Sequence, residues 1–184
     1  AMKPAWLILG SVLVASPVMA QDITLKPLID ARLRYETVDQ AGLPRDAEAA
    51  TIRIRSGVQA SSGPLSAIVE MQGNLALVGD YYDGLHGAAT RPLIADPQNI
   101  ALYRAQLQYR TKAVALTVGR QRIALDDERF VGAVPFRQNG QTFDAARVEW
   151  TGVKGLKADL TYAWRVNTVW GIDGVGARPR SIGG

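Results

Sequence analysis

The sequence predicts an all-β fold, an antiparallel β-barrel of the membrane-spanning kind, and three observations predict it. Segments of about ten residues with strict two-residue alternation recur along the chain. The connections between them alternate between tight turns and long polar loops. Beyond residue 20 no apolar run approaches the ~20 residues that a membrane-crossing helix needs.

The first segment, 28–37, sets the pattern. Ile29, Ala31, Leu33 and Tyr35 are apolar, and Asp30, Arg32, Arg34 and Glu36 between them are all charged. Side chains of a strand alternate between its two faces, so this strand has one oily face and one wet face. In the second segment, 50–60, Ile52, Ile54, Val58 and Ala60 oppose Arg53, Arg55 and Gln59. In the third, 65–77, Leu65, Ala67, Val69 and Met71 oppose Ser66, Glu70, Gln72 and Asn74.

The fourth segment, 100–110, is rich in Ala, Leu, Gln and Arg, all good helix formers. As a helix it would place Arg104 and Gln106 on opposite sides and leave no apolar stripe, so strand is the better reading. The fifth, 113–122, has Val114, Leu116 and Val118 on one face. The sixth, 142–150, carries Arg147 and Glu149, and the seventh, 156–166, alternates from Leu156 to Trp164. Tyr109, Trp150, Tyr162 and Trp164 near segment ends fit an interfacial aromatic girdle.

Tight turns are expected at 61–64, 111–112 and 151–155, and long loops at 38–49, 78–99 and 123–141. Short turns on one rim and long loops on the other is the habit of outer-membrane barrels. A strand of ten residues at ~3.3 Å per residue, tilted by about 40°, spans the ~25 Å apolar band of such a membrane. An odd number of strands leaves an open edge in lipid, which does not persist, so these seven read as the N-terminal part of a larger barrel.

The first twenty residues read as a secretory signal. Lys3 supplies the positive charge, Trp6 to Ala15 the short apolar core, and Val18 to Ala20 small residues for cleavage before Gln21. The mature part, 21–184, would then lie in the outer membrane of a Gram-negative bacterium. The chain has no Cys, so disulfides and thiolate metal chemistry are unavailable; its single His, His86, leaves little room for a His-based metal site, and no cofactor is expected. A formal charge of +4 without basic runs gives no ground for a nucleic-acid partner. The expected surroundings are outer-membrane lipid and lipopolysaccharide.

Alternation that turns apolar groups to lipid turns Arg32, Arg34, Arg53, Arg55, Arg104, Arg110, Arg147 and Arg165 to the lumen. With a symmetric first loop, Arg34 faces Arg53 and Arg32 faces Arg55, and Glu70 lies opposite Arg55. Like charges opposite one another are unfavourable in a sheet, so such a cluster argues for an anionic solute. Arginine forks match carboxylates in two-point contact, and a polyuronate could pass along them. The competing reading is a wet lumen in which the arginines pair with Asp30, Glu36, Glu70, Glu149 and Asp159.

Arg120 and Arg122 break the alternation. Either a bulge at Gly119 turns them inward, or they lie above the apolar band. The loop acids Asp80, Asp83, Asp96, Asp126, Asp127 and Glu128 lack the spacing of a calcium loop and read as solvated charge. A hydrolase would need a Ser beside His86, and no Ser motif stands near it, so no enzyme is expected. A small structural or binding barrel is the remaining alternative.

The run Gly119–Gly132, followed by Phe136–Ala145, resembles the alginate export family of outer-membrane porins. Arg32–Glu36, Gly79–Gly84 and Pro92–Pro97 add to the likeness, which extends from about Leu28 to the end of the chain. The resemblance implies a large monomeric barrel, eighteen-stranded in the alginate exporter. It further implies an arginine-rich lumen that passes a polyanionic polysaccharide such as alginate without an energy source.

Overall fold

The computed structural model describes residues 22–171. The expected signal at 1–20 lies outside the described residues, as do 172–184. Seven strands form one antiparallel sheet in chain order. They are β1 (Thr24–Val38), β2 (Ala47–Ser62), β3 (Leu65–Asp80), β4 (Asn99–Arg110), β5 (Val114–Gln121), β6 (Thr142–Val153) and β7 (Leu156–Asn167). Every expected strand is present, most of them longer than the alternation alone suggested. β1 and β7 each have one neighbour among the described residues.

The tight turns follow from their residues. Gly63-Pro64 joins Ser62 to Leu65, which face one another, so β2 and β3 form a two-residue hairpin. Lys154-Gly155 does the same for β6 and β7, with Gly155 at φ +82°, a conformation that costs glycine little. At the β4–β5 turn the Thr111 hydroxyl accepts from the amide of Val114 at 3.0 Å. The long connections are 39–46, 81–98 and 122–141.

One face of the sheet is apolar and exposed in every strand. Ile29, Leu33, Ile54, Val69, Met71, Ile100, Leu107, Leu116, Val148 and Leu160 all stand out from it. The opposite face holds the buried polar side chains Thr51, Arg53, Glu70, Gln72, Asn74 and Thr117. Polar inside and apolar outside inverts the soluble rule, and it is the arrangement of a barrel wall facing lipid. Two small apolar clusters lie under the long loops: Ala47, Ala49, Tyr81 and Ile94, and Ile123, Phe143 and Ala145.

The register corrects one expectation. Arg32 lies opposite Arg53, Asp30 opposite Arg55, and Arg34 opposite Thr51. The expected pairs Arg34–Arg53 and Arg32–Arg55 assumed a loop symmetric about 38–49. In the structure β2 begins at Ala47 and Val38 pairs with Ala47, which moves every partner along by two residues. Glu70 correspondingly faces Gly57 and Arg104, and Arg55 faces Gln72.

Bulges complete the sheet. Between β3 and β4 the register slips so that Glu70 faces Arg104 and Met71 faces Leu102, leaving Tyr103 as the extra residue. Two residues opposing one turns both side chains toward one face. Tyr103, which simple alternation sends to lipid, is therefore buried on the polar face beside Arg104. No slip occurs at Gly119, although its φ is +109°. A Cβ there would stand 2.3 Å from the Ala105 carbonyl oxygen, so close strand approach restricts the position to glycine.

Candidate functional site: an arginine-studded polar face carrying two inward loops

The polar face is built from arginines at alternate positions of neighbouring strands, and the structure divides them by partner. Arg53 bonds Asp30 across β1 and β2, which offsets its placement opposite Arg32. Arg34 bonds Glu36 two residues on and reaches Asp96 at 2.8 Å. Arg104 donates to Glu70 at 2.5 Å. Arg147 donates from Nε to Asp159 at 3.1 Å and lies 3.3 Å from Glu149, while Arg110 is 3.9 Å from Glu149. Arg165, beyond a register slip at Trp164, lies 3.7 Å from Asp144. The carboxylates foreseen as neutralising partners are thus engaged, although Glu70 pairs with Arg104 in place of Arg55.

Arg32 and Arg55 differ from the rest. Among the described residues neither has a carboxylate within salt-bridge distance. Arg32 donates to the backbone carbonyls of Pro135 at 2.7 Å and Phe136 at 3.2 Å. Arg55 donates to the Gln72 amide oxygen at 2.7 Å, and its guanidinium carbon lies 3.8 Å from the Tyr103 ring centroid. Carbonyl, amide and ring satisfy donors or stack on the guanidinium plane, but none cancels a full charge.

Two long loops fold onto this face, and buried polar groups hold them there. Asp96 is 1% exposed. Its Oδ1 accepts from the Gln138 amide at 2.7 Å and its Oδ2 from Arg34. The Asp96 carbonyl accepts from the Tyr81 hydroxyl at 3.0 Å, and Asn74 donates to the Pro97 carbonyl at 3.0 Å. Gln138 donates to both oxygens of Thr51 at 2.9 Å. Asn139 donates to the Pro97 carbonyl at 2.8 Å and accepts from Gln72 at 3.2 Å. Burial and the acids Asp83 and Asp96 push the Tyr81 phenol from 10.0 up to about 12.

Asp96 and Asp83 therefore depart from the expectation of solvated loop charge. Asp83 closes a turn on the amides of Leu85 and His86, at 2.7 and 2.5 Å. The His86 ring meets the Asp83 carboxylate at 3.3 Å, and among the described residues no hydroxyl bonds to it. Asp126, Asp127 and the half-buried Glu128 lie in the third long loop, and among the described residues no acidic or His group is arranged for a metal.

Arg120 projects into neither lipid nor open lumen. It grips Asp144 from Nε at 2.7 Å and Nη2 at 3.1 Å, and donates to the Leu102 carbonyl at 3.1 Å. With Gln72, Tyr103 and Asn139 it lines a cavity of about 60 Å³ on the polar side. Arg122 is exposed in the loop beside Glu128, at 3.3 Å. Alternation missed Tyr103, Asp96, Gln138 and Asn139. A one-residue bulge leaves no trace in composition, and loop polars look alike until burial separates them.

The sheet is similar to part of the crystal structure of Acinetobacter baumannii OccAB1, with a TM-score of 0.61 and 14% identity over 85% of this chain. A weaker likeness is to Pseudomonas aeruginosa OpdL, with a TM-score of 0.41 and 19% identity over 80% of this chain. The chain spans 38% of the length of OccAB1 and 33% of OpdL. None of the curated proteins matches the sequence significantly. The OccAB1 likeness concerns the fold, an antiparallel outer-membrane β-barrel of which seven strands are present. The profile of the alginate export family matches residues 27–179, nearly all of the strands and loops described above, and the chain belongs to that family.

Proposed function

We propose that this chain forms part of the wall of a passive outer-membrane channel, with its polar face toward the lumen and a preference for anions. The observation that carries the preference is the pair Arg32 and Arg55, neither of which has a carboxylate within salt-bridge distance among the described residues. Arg34, Arg53, Arg104 and Arg147 are paired, so they keep the wall hydrated and ordered and contribute less net field. The loops 81–98 and 122–141, folded over the same face, narrow the passage beside those two charges. Narrow walls of low dielectric concentrate a field, and selectivity rises where solute and charge are close.

Family membership favours an acidic polysaccharide such as alginate as the cargo, and guanidinium forks suit its carboxylates. The seven strands are a segment of a larger closed wall, because an open edge at β1 or β7 would leave backbone groups unpaired in lipid. We read the assembled barrel as a monomer bordered by lipopolysaccharide, exported with residues 1–20 as its signal. It acts as a conduit rather than an enzyme.

The test is the reversal potential of the full-length protein in a planar bilayer under a potassium chloride gradient. Anion selectivity is expected, together with a clear loss of it when Arg32 and Arg55 are both replaced by Gln. A cation-selective channel would overturn the reading.

A further inference from the structure

An exposed phenylalanine is held against the arginines of β1 on the charged face. Phe136 sits where the 122–141 loop lies against β1. Arg32 and Arg34 both donate to its carbonyl, at 3.2 and 3.1 Å, and Arg32 also holds the preceding Pro135 carbonyl. The Arg34 guanidinium carbon lies 4.1 Å from the ring centroid, and that of Arg137 lies 5.3 Å away. Val134 just upstream has φ +50°, a strained conformation for a β-branched residue, which persists only where surrounding contacts impose it.

As a residue Phe136 is 60% exposed among the described residues, whereas Phe143 on the same polypeptide run is 6% exposed within an apolar cluster. A phenylalanine that served packing would resemble Phe143. This one is fixed by its backbone, braced by guanidinium, and left with ring surface open.

We propose that Phe136 is a stacking platform for the pyranose ring of an acidic sugar, with Arg32 and Arg137 as partners for its carboxylate. The inference rests on the anion-channel reading and names a subsite within it. A pyranose ring has a flat face of C–H groups and a polar rim. The negative π-face of an aromatic ring attracts the positive C–H groups, and the nearby guanidinium groups take the carboxylate on the rim.

Arg137 is suited to this because two of its guanidinium nitrogens remain open beside the ring. Its Nη1 is buried, 3.7 Å from Glu36 and 3.9 Å from Asp96 and without a hydrogen bond, while Nε and Nη2 make no hydrogen bond among the described residues. Arg32, on the same loop contact, has no carboxylate within salt-bridge distance among the described residues. Apolar surface with a few convergent polar groups is the usual make-up of a ligand site, and both are present here. The contacts are few, so a bound sugar can still leave, as passage requires.

The test uses the full-length protein in planar bilayers, with an oligomer of mannuronate and a neutral glucose oligomer of equal length as blockers. The mannuronate oligomer is expected to interrupt the current at lower concentration than the glucose oligomer. Phe136→Ala should raise the half-blocking concentration of mannuronate about tenfold, while Phe136→Trp retains tight block. Unchanged block by mannuronate in Phe136→Ala would overturn the subsite, as would equal loss in Phe136→Trp. Failure of the channel reading is seen separately, as a lack of chloride preference in the unsubstituted protein, and block is measured in either case.

Discussion

Asp96 Oδ2 lies 2.8 Å from Arg34 Nη1, a contact that joins the second long loop to the first strand across 62 positions of sequence. The other oxygen of the same carboxylate accepts from the backbone of Gln138, in the third long loop. One buried group therefore ties two loops to one another and to the wall.

Replacement of Asp96 by Ala is expected to release both loops. Removing it orphans the buried Gln138 amide and leaves Arg34 with Glu36 as its one carboxylate among the described residues, at a cost of about 1–3 kcal/mol. The strands need none of these contacts, so the sheet persists while the loops detach. Single-channel conductance should rise, and protease should cut sooner within 81–98 and 122–141. Unaltered conductance together with unaltered cleavage would show that the loops are held by something else.

The exposed apolar face makes a depth-dependent prediction. Ile54 lies half-way along β2, opposite Ala31, and is half exposed on that face. Ile54→Arg should cost about 2–4 kcal/mol of barrel stability, the penalty for a cation near the middle of the lipid band. Gln59→Arg, on the opposite face, should be close to neutral. Guanidinium titration of the full-length barrel in lipid vesicles measures both, and equal effects would mean that the faces are wrongly assigned.

Tyr81 offers a pH test outside the strands. Its phenol is pushed up to about 12, by burial first and then by Asp83 and Asp96. The neutral form is the one the folded loop prefers, so the stabilisation is complete below pH 10.0, the ordinary phenol value, and is lost as pH rises toward 12. Carbon-13 labelling of the tyrosine ring, with Tyr81→Phe to identify the signal, should reveal one loop tyrosine ionising about two units late. Ionisation near pH 10 would mean that the Tyr81 hydroxyl is not buried against Asp96.

Strand positions were legible because lipid on one side and water on the other force a period of two, and Arg32, Leu33, Arg34 and Tyr35 display it without exception. Pairing was less legible. Where β2 begins depends on how the loop from Asp39 to Asp46 closes, and Ala47 and Ala49 gain their strand places by packing on Tyr81 and Ile94. The charged pairs were readable in kind, since acids and arginines share a face. Their assignment followed the register, so Glu70 went to Arg104. Tyr103 was hidden because one inserted residue reverses a face. Asp96 and Gln138 were hidden because a polar residue in a polar loop carries no sign of the burial that tertiary contact confers.

The clamp on Arg32 also orders events in time. Its partners Pro135 and Phe136 stand 103 and 104 positions downstream. Neighbouring strands can zip together hairpin by hairpin, each closing a short stretch of chain. The clamp, by contrast, cannot close until the loop between β5 and β6 has been delivered. Contacts of such long separation form late, after the entropy of the intervening chain has been lost to the strands. The strands therefore pair while this loop is still loose, and the clamp on Arg32 closes late in folding.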